Sequence, residues 1–248
     1  MKNTKTYRPN YPLNQFIDII WAGESDNYEI QAIHHAPLFT ELIFNYGDSF
    51  SINGQNVEEF NFQNNQQILS GLKTKPFHTQ ISGKYLNVGF ILKPFCYGLI
   101  AKQVNSSRIG DLSEILFEQF LIKTKPDLKK IEVELFRLFQ NSRLENDLIK
   151  FEIYLNKNIS EPKRIKNFNK LISISQKSFI QKFKNTFHIV PNEYVRLKQV
   201  NHAIIKIKAN RYNNLTNLGL DCGFYDQSHF IRTFKKYSGL TPRQFVKG

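Results

Sequence analysis

"GFYDQSHFIRTFKKYSGLTPRQF", residues 223–245, decides how this chain is read. Gly223 can take the positive φ of a tight turn, and Asp226 is placed to cap a helix that starts at Gln227. Phe230 and Phe234 lie four apart, on one face of that helix. Gln227, Ser228, His229 and Arg232 fall on or near the opposite face, with Lys235 and Lys236 later in the helix. Thr241 before Pro242 reads as the N-cap and first residue of another short helix, "PRQFV". The preceding "LTNLGLDCG" supplies a short helix with Leu215 and Leu218 turned inward, so the whole reads as a helix-turn-helix.

The pattern occurs twice. A shift of 51 positions lays "QKSFIQKFKNTFHIVPNEYVR" (176–196) on "QSHFIRTFKKYSGLTPRQFVK" (227–247), with identities at Gln176/Gln227, Phe179/Phe230, Ile180/Ile231, Phe183/Phe234, Lys184/Lys235, Pro191/Pro242 and Val195/Val246. Such a period means one supersecondary unit repeated. The first copy offers Lys177, Ser178, Ile180 and Gln181 where the second has its outward-facing residues.

Charge agrees with this reading. Residues 1–149 hold 15 Lys and Arg against 16 Asp and Glu, whereas residues 150–248 hold 19 against 5. A solubility effect would spread basic residues along the chain, whereas a polyanion-binding surface concentrates them, because each cation that displaces a counterion adds affinity. A lysine-rich solvated face is the plainer alternative. The two cysteines, Cys96 and Cys222, are far apart and imply neither a disulfide framework nor a paired metal motif. No apolar run reaches the length of a membrane span and the start has no signal-peptide core, so a soluble cytoplasmic, nucleoid-associated protein is expected.

The 248 residues suit two domains. Short apolar and aromatic runs broken by "YGDS" and "NGQN" give a β-rich domain over residues 1–107. A helical segment follows over 108–159, where Leu128, Ile131, Leu135 and Leu138 form a stripe that serves either as core packing or as a dimer seam. Residues 160–248 read as helices throughout. The expected class is α+β: a β-rich N-terminal domain, a helical middle segment, and an all-α C-terminal domain with two helix-turn-helix units joined by a long helix.

"GFYDQSHFIRTFKKYSGLTP" resembles the signature of the AraC/XylS family of bacterial transcription regulators, whose DNA-binding domain is two helix-turn-helix units on one long helix. The resemblance covers about residues 160–247, with "EYVRLKQVNHAIIKIKA" (193–209) as the joining helix and Ala203 at its small-residue position. More loosely, "IDIIWAG", "LSGLKTKPF" and "LNVGFILKPF" resemble a β-rich sensory domain of some members. There are departures. Asn169 and Gly219 stand where a small Ala usually packs under the recognition helix. Gln199 replaces a common Arg on the joining helix, and His188 replaces the usual Gly after the first recognition helix.

The resemblance implies that each recognition helix presents its first half to base edges and leaves phosphates to nearby cations. Candidate base contacts are Gln227, Ser228, His229 and Arg232 in the second unit and Lys177, Ile180 and Gln181 in the first. Gln suits adenine and Arg suits guanine, and Ile180 offers only apolar contact. Lys184, Lys235 and Lys236 are the phosphate candidates. Gly223, Phe179, Phe183, Phe230, Phe234, Pro191 and Pro242 are structural. Ser228 has a local-bonding alternative, His229 the alternative of covering the joining helix, and the lysines that of plain solvation.

His34, His35, Glu41 and His78 raise a second reading, a cupin-like metal-dependent enzyme on a DNA-binding tail; neighbouring His34 and His35 would point to opposite faces of a strand. No phosphate loop, nucleophile elbow or H-E-x-x-H is present, and neither catalysis nor a cofactor is expected. Trp21, Phe39, Phe44, Tyr46 and Phe90 read as core, or as the lining of a ligand cavity. Double-stranded DNA is the expected partner. RNA polymerase, a small-molecule effector and a second copy of the chain are further candidates, and a membrane is not.

Overall fold

The computed structural model describes residues 3–52, 55–56, 67–103, 107–140, 145–161, 168–170 and 174–247. Residues 57–66, part of the strand-like run read above, and residues 162–167 and 171–173, most of the stretch leading into the first recognition helix, lie outside them. The chain divides into two compact units, as the α+β reading anticipates: a β-rich one and an all-α one.

The N-terminal unit is built on β1 (Asn3–Tyr7), β2 (Ile17–His34), β3 (Thr40–Asn45), β4 (Phe50–Ile52), β5 (Gln55–Asn56), β6 (Gln67–Ser70) and β7 (Phe77–Leu92). The main path of the sheet runs β1-β2-β7-β3-β6, with β4 paired to both β5 and β7. The β3–β7 register sets Phe44 opposite Val88 and Leu42 opposite Phe90, so alternation sends these four to one face. Short helix α1 (Cys96–Ile100) follows. That face is then covered by α2 (Ser107–Leu116), which runs into a π-helical stretch at Phe117–Ile122, and by α3 (Leu128–Phe139).

Asp127 caps α3 by accepting from the backbone N–H groups of Lys129 and Lys130. The stripe of α3 is core: Ile131, Leu135 and Leu138 are buried with Ile20, Phe44, Val88 and Phe90. Each contributes about 1.5–3 kcal/mol by leaving water. The dimer-seam alternative for that stripe therefore gives way, because these side chains are already used inside one chain. The Phe16 and Phe139 rings stack at 4.6 Å, which fastens the end of α3 to the chain ahead of β2. Of the aromatics read as core or cavity, Phe44 and Phe90 are buried there. Trp21 lies against Gly89, where an added Cβ would come 2.3 Å from the indole.

The C-terminal unit comprises His34–Leu38, Leu72–Phe77 and Leu144–Gly248. Its helices are α4 (Asn146–Asn158), a 3-10 turn at Phe168–Lys170, α5 (Gln176–Phe187), α6 (Pro191–Lys208), α7 (Leu215–Asp221), α8 (Gln227–Ser238) and α9 (Pro242–Lys247). α4 therefore falls with this unit, whereas sequence reading put residues 144–159 in the middle segment. The reason is packing: the Phe151 ring meets Phe168, Phe179 and Phe183 at 5.0–5.4 Å. Lys198 of α6 also pairs with Glu152 of α4 at 2.8 Å. Residues 34–38 are tied in by backbone. Ala36 N–H donates to the Tyr237 carbonyl at 2.8 Å, and the Asn201 amide donates to the Ala36 carbonyl at 3.1 Å. Among the described residues no helix is long and apolar enough to cross a membrane.

Candidate nucleic-acid interface

The two proposed recognition helices, α5 and α8, begin alike, each with a side-chain cap. Ser175 caps α5 by accepting from Ser178 N–H at 3.2 Å, and Asp226 caps α8 by accepting from His229 N–H at 2.7 Å. An Asp or Ser at this site satisfies one of the donors a helix start leaves open. The C-caps also match: His188 (φ 58°) and Gly239 (φ 84°) are both left-handed and 51 residues apart, so a His occupies a conformation that favours glycine. α9 opens with a reciprocal capping pair, the Thr241 hydroxyl accepting from Gln244 N–H at 3.3 Å and the Gln244 side chain accepting from Thr241 N–H at 2.9 Å.

The inward faces are phenylalanine-rich. Phe179 and Phe183 of α5 and Phe230 and Phe234 of α8 are buried, as their spacing requires. Phe183 meets Tyr194 of α6 at 5.4 Å, and Phe230 meets Phe224 at 5.0 Å. Pro191 is the first residue of α6 and Pro242 the first of α9. Burial pushes the Tyr194 hydroxyl well above its ordinary pKa, with Glu152 adding to the effect, so it stays protonated. Beneath α8, Gly219 is required by space: an added Cβ would stand 2.9 Å from the Phe230 ring. In the first unit Phe168 buries its ring against Phe179 at 5.5 Å. The side chain of Asn169 lies outside the described residues.

Gly223 has φ 84°, and an added Cβ there would meet the Ile159 carbonyl oxygen at 2.1 Å. Its own carbonyl accepts from the buried Gln199 side chain. Gln199 thus has a definite role on the joining helix α6, where the family commonly has Arg.

Of the proposed base contacts, Gln227, Ser228 and Arg232 are exposed on α8, and Lys177 and Gln181 are exposed on α5. The Gln181 amide donates to the Asn185 side chain at 2.9 Å. His229 is half-buried with its ring edge-on to Phe224 at 5.5 Å. Its pKa is held below the ordinary value, first by burial and then by Arg196 of α6, which fits the covering alternative. Ile180 is half-buried. Of the phosphate candidates, Lys184 and Lys235 are exposed, and Lys236 lies 5.2 Å over the Tyr237 ring. Sequence reading passed over Tyr225, which is 83% exposed immediately before the cap of α8. An aromatic in a polar turn was the available signal.

The residues of the metal reading are engaged elsewhere. His34 stacks on Phe77 at 4.8 Å and His35 sits edge-on to Phe245 at 6.3 Å. Among the described residues no group of three or more His, Cys, Asp or Glu gathers as a metal site would require.

Comparison with known proteins places the two parts separately. A helix-turn-helix domain family (HTH_18) matches residues 170–248, and a domain of unknown function (DUF6597) matches residues 5–111. The chain is 24% identical over 200 residues to the probable transcriptional regulator LumQ of Photobacterium leiognathi, covering 80% of this chain and 79% of that one. It is 25% identical over 107 residues to the putative HTH-type transcriptional regulator YkgA of Escherichia coli K12, covering 41% and 44%. A solved structure of ToxT from Vibrio cholerae aligns with 99% of this chain and 97% of that one, at 12% identity and a TM-score of 0.49. The helix-turn-helix domain family over residues 170–248 and the regulator relatives support a DNA-binding transcriptional regulator of AraC/XylS type.

Proposed function

We propose that α5 and α8 each enter the major groove of one duplex, and that the two units read separate short boxes. The observation that carries this reading is the equivalence of the two helices. Phe179/Phe230 and Phe183/Phe234 are buried alike, while Gln181/Arg232 and Lys184/Lys235, also 51 residues apart, are exposed alike. In the second unit Gln227, Ser228 and Arg232 face base edges and Lys235 takes phosphate; in the first, Lys177 and Gln181 face bases and Lys184 takes phosphate. His229 and Ile180 stay with the protein side of the interface. The N-terminal unit serves as the sensory part and takes a small-molecule effector, and the protein acts from the cytoplasm on transcription by RNA polymerase.

The test is binding of duplex DNA by the full chain and by residues 145–248, with fluorescence anisotropy at several salt concentrations. Both should bind, with affinity falling steeply as salt rises, because the cations that displace counterions lie in the C-terminal part. A flat salt dependence overturns the reading.

A further inference from the structure

We propose that a groove on the N-terminal unit, between the outer half of β2, β7 and the π-helical stretch, is an effector site for a small aromatic amine. This rests on the effector reading above and names the ligand class. The groove has a volume of about 830 Å3 and an aromatic wall formed by Tyr28, Tyr85 and Phe117. Tyr28 and Tyr85 stand 4.9 Å apart with their rings tilted at 42°, an open angle against which a third ring can rest. Phe117 is 39% exposed at the rim of the groove, with its ring resting against Tyr46 at 5.1 Å.

Local backbone makes the space. Phe117 and Leu121 come from the π-helix at Phe117–Ile122, a geometry that inserts an extra residue into a helical turn and recurs at functional sites. The floor is apolar, with Leu86 and Leu121.

Charge selects the ligand. Among the described residues, the carboxylates Glu24 and Asp26 and the cation Lys84 line the groove. An ammonium group gains from carboxylates and from aromatic faces together, whereas a carboxylate ligand would meet two like charges for one opposite. The Tyr85 hydroxyl is pushed up to about 12, first by burial and then by Tyr28 and Glu41, so that ring stays neutral at physiological pH. A ligand with one ring and one ammonium group matches these parts.

The experiment is isothermal titration calorimetry on the full chain, without DNA, using 2-phenylethylamine and 3-phenylpropionate as probes of like size and opposite charge. We expect saturable binding of the amine, about tenfold or more over the acid, and about a tenfold loss for the amine in Asp26→Asn and in Phe117→Ala. Both positions are exposed, and melting curves serve as the folding control. Absence of saturable amine binding, equal binding of the acid, or an unchanged affinity in Asp26→Asn overturns the proposal. Because the readout is ligand heat on the free chain, each of those results leaves the DNA-binding reading intact.

Discussion

The side-chain amide of Gln199 donates a 2.9 Å hydrogen bond to the carbonyl of Gly223, from inside the long helix α6 to the turn ahead of α8. Both partners are buried, so the bond fixes how the second recognition helix sits on α6. Gln199→Leu strands a buried carbonyl and should cost about 1–3 kcal/mol. Gly223→Ala should cost more, because the left-handed conformation alone costs roughly 1–2 kcal/mol and the new methyl meets backbone. Urea unfolding checks both, and a Gly223→Ala midpoint equal to that of the unsubstituted chain contradicts the account.

His188 and Gly239 offer a matched test of the two left-handed C-caps. His188→Gly should stabilise the chain by up to about 1 kcal/mol, since relief of the left-handed strain exceeds the entropy a glycine loses. Gly239→Ala should destabilise it by roughly 1 kcal/mol, and the added Cβ would also come 3.3 Å from Pro76. Opposite signs in thermal melts are the expected result.

Acid should weaken the C-terminal unit. His35, His188, His202 and His229 are all held below their ordinary pKa, chiefly by burial. Above the ordinary value of 6.5 they are neutral whether the chain is folded or not, and contribute no pH dependence. Below it the unfolded chain takes up protons that the folded one refuses, so stability falls as pH drops from 6.5 through the folded values. His202 Nδ1 is buried without a hydrogen-bond partner, so His202→Gln should flatten the slope measured between pH 7.5 and 5.5. An unchanged slope removes His202 from this account.

Base and phosphate contacts separate by their salt signatures. Arg232→Ala should relax preference in one box at a cost of about 1–3 kcal/mol, while Lys235→Ala should weaken all sequences alike and lower the salt slope by about one. Gln181→Ala should act on the other box. With the helices about one turn of duplex apart, roughly 34 Å, insertion of five base pairs between the boxes should abolish joint binding. If Arg232→Ala and Gln181→Ala disturb the same base pairs, the two-box arrangement is wrong.

A fragment of residues 160–248 should melt well below one of residues 145–248. Without α4 the ring of Phe151 is missing from among Phe168, Phe179 and Phe183, and deletion of a core phenyl costs about 3–5 kcal/mol. Circular dichroism melts of the two fragments decide the point.

The C-terminal unit was largely legible because its signals are local. The Asp226 and Thr241 caps and the Phe pairs each lie within a few residues of the feature they specify, and the repeat is visible as direct identities. The allegiance of α4 was not legible: an amphipathic helix announces that one face is buried, not against what, and Phe151 finds its partners 17 to 32 residues further on. His229 was ambiguous for a related reason. Its place at the start of α8 allows both an outward and a sideways rotamer, and the choice depends on Phe224 and on Arg196 of α6. In the N-terminal unit alternation identified strands, but β2 runs unbroken over 18 residues, with an outer half too polar to look like a strand. The stripe of α3 was visible, and only the sheet opposite it settled that it is core.

Ala36 joins Asn201 across 165 residues of sequence, and its N–H is held by the Tyr237 carbonyl. During translation at about 5–20 residues per second, Asn201 is added roughly 10–30 s after Ala36. Over that interval the carbonyl and N–H of Ala36 lack the partners they have in the folded chain, and the C-terminal unit is completed only when α8 has left the ribosome. A truncated translation product ending before Tyr237 therefore lacks both the second recognition helix's closing contacts and the backbone partner that Ala36 requires.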